Sequence, residues 1–331
     1  MKALLITTKG GEETARQEIK EILSIDGKIT EEAVEFQFGK YEELFKLCYF
    51  SQSAVRIIML DKPENWLKKG MKFKVECEES EKEAEIGAEI NKKNEYLVDL
   101  EKPDVIFFQH KKHLGIDFSG DISKRAFRIF TNKHSLKGTT AFILLKEAGY
   151  TGKESLLDPF AKDGTIILEA CHHALKRPIR FYEKEKFPFL KLEQFKKFSF
   201  EKFFEAFNET ENSTKIYAVS SDTRDIEATK KNAKIAGVKN FIVSRIDLDW
   251  LDTKFNENEV ELVATYPPKL TPKQLKEFYY RIVYIARKIV MLVGTDFNYE
   301  DDLLKIEKEK IIQTGKINKK IVWMKKMKYN K

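Results

Sequence analysis

From residue 138 to residue 294, apolar runs of strand length alternate with amphipathic stretches of helix length, and this constrains the fold more than any other feature of the chain. Helices are expected at 138–149, 164–176, 223–236 and 271–286, with strands in SLLDPF, KIYAVS, NFIVS, ELVATY and IVMLVG. Such alternation predicts an open, mostly parallel, doubly wound sheet with helices on both faces and ligands at the carboxyl ends of the strands. KIIQT and KIVWMKK read as a closing hairpin. The segment 177–214, dense in Phe and Lys, interrupts the pattern. Two amphipathic helices packed on the sheet are one reading of it, and rings and cations interleaved for nucleotide stacking are the other.

Upstream the pattern differs. Period-two alternation at 34–38, 54–60 and 73–77 predicts strands, and apolar residues at helical spacing predict helices at 12–23, 41–50 and, more weakly, 80–92. YLVDL, VIFFQH and HLGIDF add short strands. The first 130 residues therefore read as α+β. The polar, aperiodic TNKHSLK at 131–137 marks a boundary, so the domains are expected at 1–130 and 131–331.

At 331 residues the chain suits two domains, and 42% apolar against 34% charged residues excludes collagen-like, disulfide-scaffold and largely disordered classes. Cys48, Cys77 and Cys171 share no short spacing and predict neither a disulfide framework nor a metal site. His172-His173 lies mid-helix without a second ligand pair and reads as structural. No apolar run approaches a membrane span, and MKALLITTKGGEE turns polar too soon for a signal peptide, so a cytoplasmic protein is expected. The formal charge is +7, and residues 310–331 carry eight lysines without a carboxylate, which points to a polyanionic partner. A solvated Lys/Glu-rich surface is the alternative. Lys124, Arg125, Arg128, Lys133 and Lys137 face only Asp121 in 121–137 and are spaced for phosphate contacts, or again for a solvated surface.

The sharpest motif is Asp158-Pro159-Phe160-Ala161-Lys162-Asp163-Gly164-Thr165, where an apolar strand ends and a helix opens. Backbone N–H groups at such a loop can receive an anionic group. Ser221-Asp222 ends the next strand, Asp247 the third, and Tyr266-Pro267-Pro268-Lys269 the fourth. A lone Asp at such a place is most simply a cap or turn residue, but three at successive strand ends outline a cleft.

This series resembles the class I S-adenosylmethionine-dependent methyltransferases that modify exocyclic amines, and is most similar to the THUMP-domain RNA guanine-N2 methyltransferases. DPFAKDGTIILEA resembles their DPFCGSGT followed by an Ile/Leu-rich helix ending EA, and SSDTRDIEATKKNAKIAGV their GxD followed by AxxNAxxAGV. Upstream, AVRIIML, KFKVECEES, IGAEI, YLVDLEKPDVIFF and LGIDFSGDISKRAFR resemble the THUMP module and its exit. The resemblance implies a THUMP-like RNA-binding domain followed by a Rossmann-like methyltransferase domain. It implies S-adenosylmethionine bound at its methionine end by Asp158, Phe160, Gly164 and Thr165, at its ribose by Asp222 and at its adenine by Asp247. The target would be a guanine amine in structured RNA, transfer RNA above all, with catalysis at Tyr266, Pro267 and Pro268.

Two departures stand out. Lys162 replaces the first glycine of the loop, where a side chain crowds the ligand and weakens its binding. Tyr266 stands where the family has the Asn or Asp that accepts a hydrogen bond from the target amine, and Lys269 where it has the stacking aromatic. Loss of one such bond in a desolvated site costs about 2 to 4 kcal/mol. The alternative implied is a catalytically degenerate relative acting as an RNA-binding subunit with a protein partner.

Overall fold

The structure, a computed structural model, describes residues 1–92, 95–132 and 134–327. In chain order its elements are β1 (Lys2–Thr7), α1 (Glu12–Leu23), β2 (Gly27–Thr30), β3 (Ala33–Gln37), α2 (Tyr41–Phe50), β4 (Ala54–Leu60), β5 (Lys72–Cys77), α3 (Glu83–Asn91), β6 (Leu97–Val98), β7 (Val105–His110) and β8 (His113–Asp117). There follow α4 (Gly138–Glu147), β9 (Leu156–Asp158), α5 (Thr165–Ala174), α6 (Phe200–Glu205), β10 (Ile216–Ser220), α7 (Thr223–Ala236), β11 (Ile242–Arg245), α8 (Leu251–Lys254), β12 (Val260–Thr265), α9 (Pro272–Ile285), β13 (Ala286–Gly294), β14 (Leu304–Thr314) and β15 (Ile317–Lys326). None of the helices is long and apolar enough to cross a membrane, among the described residues.

Two compact units form. The first holds Met1–Thr7, Ala15–Ser123 and Ile179–Asn208, the second Thr8–Thr14, Lys124–Pro178 and Glu209–Lys331. These differ from a division at 130 in one large respect: most of the Phe/Lys segment belongs to the first unit. Its rings explain why. Phe187, Phe189, Phe195 and Phe204 are buried in one core with Ala15 and Ile19 of α1 and with Leu44, Phe45, Leu47 and Cys48 of α2. Phe45 lies 4.6 Å from Phe189 and 5.0 Å from Phe195 between ring centroids. The expected pair of amphipathic helices is instead a run of 3-10 turns and the six-residue α6, and the stacking reading fails for these rings because they are inside.

The sheet of the first unit runs β2-β3-β1-β4-β8-β7-β5-β6. β1 sits among its central strands because Ala3, Leu4, Leu5 and Ile6 are apolar on both sides; Ala3 and Leu5 join the helix-covered core, and Leu4 and Ile6 a smaller cluster with Ala33, Ile58 and Phe108. Burial on both faces stabilises such a strand by about 25 cal/mol per Å² of apolar surface removed from water.

The sheet of the second unit runs β11-β10-β9-β12-β13-β15-β14. β11, β10, β9, β12 and β13 are mutually parallel, and β15 returns antiparallel between β13 and β14. The doubly wound expectation is met. Strand order reverses at β9, whose neighbours are β10 and β12, and the crevice at a parallel sheet's carboxyl edge opens at such a switch point.

Candidate cofactor cleft at the switch point

β9 ends in Asp158, which is buried and accepts from Thr265 Oγ1 at the end of β12 (2.6 Å) and from the Phe160 backbone N–H (3.1 Å). Burial, against the pull of those hydrogen bonds, pushes its carboxyl up from 3.8 to about 6. Phe160 leans edge-to-face on Phe278 of α9, with centroids 5.2 Å apart. Asp163, two residues before the start of α5, accepts from the Thr165 N–H (3.2 Å) and hydroxyl (2.7 Å). Gly164 has φ +80°, and a Cβ there would meet Thr229 of α7 at 2.7 Å, so both its conformation and its neighbour require glycine.

The loop is anchored to α7 twice. Thr229 Oγ1 donates to the Lys162 carbonyl (3.2 Å) and Asn232 Nδ2 to the Asp163 carbonyl (2.9 Å). Thr229, Asn232 and Thr265 are wholly buried; Asn232 is the Asn of the NAxxAGV pattern, whereas Thr229 and Thr265 carry no signal in the sequence beyond their elements.

Lys162 takes φ +50°, the left-handed region that non-glycine residues enter at a cost of about 1–2 kcal/mol. Its side chain runs into the cleft, where Nζ donates to the Tyr266 carbonyl (2.6 Å) and lies 3.5 Å from the centre of the Tyr266 ring. Lys319 of β15 donates to the Tyr266 hydroxyl, with its Nζ 3.7 Å from the same ring centre. Burial first, and then the Lys319 charge, lower the Lys162 ammonium from 10.5 to about 8, against the opposing pull of Asp158, Asp163 and Asp225. Strong shifts of this origin at a strand-end cleft mark functional sites more often than ordinary surface.

Asp158, Phe160, Lys162, Asp163, Thr165 and Tyr266 line a cavity of about 10 Å³, space for a single water. Pockets for drug-sized ligands measure about 300–1,000 Å³. The carboxylates and hydroxyls of this lining suit the polar atoms of an adenosyl ligand, and the Lys162 side chain lies among them against Tyr266. Around the rim, Asp222 caps α7 by accepting from the Arg224 N–H (2.8 Å) and is bracketed by the Arg224 guanidinium, with Nη2 at 2.7 Å. That guanidinium first, and the Arg224 backbone N–H after it, hold its carboxyl below the ordinary value. Asp247 is exposed after β11, Pro267 is buried, and Pro268 and Lys269 are exposed.

The basic segment divides. Lys124 and Lys137 are exposed, and Lys133 lies outside the described residues. Arg125 corrects the sequence expectation: its side chain and that of Glu169 are fully buried, with Nε donating to Oε1 at 2.7 Å, so it cannot meet a phosphate. Arg128 is largely committed too, donating from Nε to Thr165 Oγ1 (3.0 Å), with Nη2 3.6 Å from Asp163. His172 is buried against the Phe127 ring, and burial pushes it down to about 3, so it is neutral. Among the described residues no group of His, Cys, Asp or Glu is arranged to hold a metal.

A parallel sheet with one returning antiparallel strand and a cleft at its switch point defines a Rossmann-like methyltransferase domain. The family model of the RMKL-like methyltransferase domain matches residues 125–290, half of the chain, and the protein belongs to that family. A tRNA (guanine(6)-N2)-methyltransferase of Methanocaldococcus jannaschii is 27% identical over 227 residues, which are 63% of this chain and 59% of that protein. The chain therefore spans less than two thirds of that relative's length. Among solved structures, a possible methylase from Clostridium difficile 630 superposes with a TM-score of 0.78 at 18% identity, covering 100% of this chain and 99% of its own. SMU.472 in complex with SAH superposes at 0.73 with 17% identity, covering 100% and 99%. At these identities the likeness is one of fold.

Proposed function

We propose that the protein is an RNA methyltransferase that transfers a methyl group from S-adenosylmethionine to the exocyclic N2 amine of a guanine in transfer RNA. The observation that carries this reading is that Asp158, Asp222, Asp247 and Tyr266-Pro267 stand at or just after the carboxyl ends of the parallel strands β9, β10, β11 and β12 in a methyltransferase-family sheet. The name of the archaeal relative supports the guanine N2 position and transfer RNA.

In this reading S-adenosylmethionine supplies an electrophilic methyl group on a sulfonium. The loop Phe160, Gly164 and Thr165 takes its methionine end, Asp158 steadies the loop, Asp222 turns from Arg224 to the ribose diol, and Asp247 meets the adenine. The carbonyls of Tyr266 and Pro267 accept from the target amine and orient its lone pair, while the Tyr266 ring bears on the base. The first unit, Met1–Thr7 with Ala15–Ser123 and Ile179–Asn208, acts as a THUMP-like RNA-binding domain, exposed Lys124 and Lys137 contact phosphates, and the work is cytoplasmic.

The lysine-filled cleft favours a second reading, in which catalysis is lost and the protein binds RNA beside a protein partner. Transfer of labelled methyl from S-adenosylmethionine to unmodified transfer RNA, with nucleoside mass spectrometry, separates the two. Formation of N2-methylguanine that Tyr266→Ala abolishes supports the enzyme. RNA binding without transfer in wild type supports the binding subunit, and transfer indifferent to Tyr266→Ala overturns the placing of chemistry at Tyr266.

A further inference from the structure

Beside the cleft, residues 130–132 are tied along α7. The Phe130 N–H donates to Asn232 Oδ1 and the Phe130 carbonyl accepts from Asn232 Nδ2, both at 3.0 Å, while Asn132 Nδ2 donates to Asp225 Oδ1 at 3.1 Å. The backbone here is held by side-chain hydrogen bonds, yet the side chain it carries is not inside: Phe130 is 41% exposed and its neighbour Ile129 64%. The Lys231 ammonium lies 5.0 Å from the centre of the Phe130 ring, and Lys231 and Lys234 are exposed three residues apart on α7, on a face they share with Arg224, which pairs with Asp222, and with Glu227, which pairs with Lys230. Asn232, which fixes Phe130, also holds the Asp163 carbonyl of the cleft loop, so ring and cleft are positioned by one buried amide.

We propose that Phe130 is a stacking platform for an unpaired nucleobase of the RNA, with Lys231 and Lys234 receiving the flanking phosphates. An aromatic face offered to solvent on a fixed backbone loses little freedom when a base stacks on it, and the row of cations complements a single strand. Charge complementarity selects nucleic acid over an apolar peptide, since the charge beside the ring is the Lys231 ammonium and the carboxylate of that face, Glu227, is paired with Lys230. The inference rests on the RNA reading above and adds the conformation of RNA that is recognised.

The test is equilibrium binding of a labelled single-stranded RNA and of its duplex across a salt series, with wild type, Phe130→Ala, Phe130→Tyr and Lys231→Ala. Phe130→Ala is expected to weaken single-strand binding about tenfold or more with the salt slope unchanged, and Phe130→Tyr to retain it. Lys231→Ala is expected to lower the slope by about 0.7. Ultraviolet cross-linking of 5-bromouridine RNA to wild type, expected on the peptide carrying Phe130, gives a readout that no folding defect can mimic. Wild-type binding that ignores Phe130→Ala, cross-links elsewhere or prefers duplex overturns the platform and leaves the RNA reading standing. Absence of RNA binding by wild type overturns that reading, and the platform with it.

Discussion

At Lys162 a single side chain lies in the cleft against Tyr266. Three features act together there: a left-handed backbone that glycine adopts without strain, an ammonium that burial lowers to about 8, and a hydrogen bond to the Tyr266 carbonyl. Lys162→Gly removes all three, and calorimetry should show S-adenosylhomocysteine binding at least tenfold tighter than to wild type. Unchanged or weaker binding would mean that the lysine is part of a working loop. The pH dependence has a definite sign. Because the folded ammonium titrates near 8 and the free one near 10.5, the unfolded chain binds more protons in that window, and the lysine's contribution to stability rises with pH from about 8 to 10.5. Asp158 works oppositely: with its folded value near 6 against 3.8, its contribution is fullest below about 4 and is lost as pH rises to about 6. Urea melts of wild type and Lys162→Met over pH 7 to 11 should differ by this rise, which the variant lacks.

At the scale of elements, the segment 121–137 shows how charge and burial part company. A basic run is visible in sequence, but the partner that takes Arg125 inside is Glu169, 44 residues on, and nothing local announces it. Arg125→Ala strands a buried carboxylate and should cost about 3–5 kcal/mol of stability by chemical denaturation while leaving the salt slope of RNA binding as in wild type. Lys124→Ala with Lys137→Ala should do the reverse, flattening the slope at little cost in stability. The same logic separates what was legible. The bounds of α1, α2 and α7 follow from their amphipathic period, and the loop at Asp158–Thr165 from its position between strand and helix. β1 escaped because a strand buried on both faces shows no alternation. The closing of the cleft was half legible: Lys162 was conspicuous as a departure, but its reach to Tyr266, 104 residues away, and the meeting of Tyr266 with Lys319 are products of the sheet order. Asn232 is visible as the Asn of NAxxAGV, but its task is not, since its partner Phe130 lies 102 residues before it.

Over the whole molecule the excess of seven positive charges sets the long-range term of any encounter with RNA. Binding should weaken steeply with salt, and filter binding that is flat between about 50 and 200 mM would rule out phosphate contacts as its source. One architectural feature bears on how the chain comes into being. The core of the first unit needs rings from Ile179–Asn208, yet the chain builds 55 residues of the second unit, Lys124–Pro178, before reaching them. During synthesis, at about 5–20 residues per second, Phe45 and Tyr49 therefore wait about 7 to 32 seconds for Phe189, Phe195 and Phe204 to be made, and the intervening part of the second unit accounts for about 3 to 11 seconds of it. Through that interval the nascent chain displays an unfinished apolar surface, which makes it a client for chaperones at the ribosome exit. A gene fragment stopped at residue 130 would freeze the protein in that unfinished state.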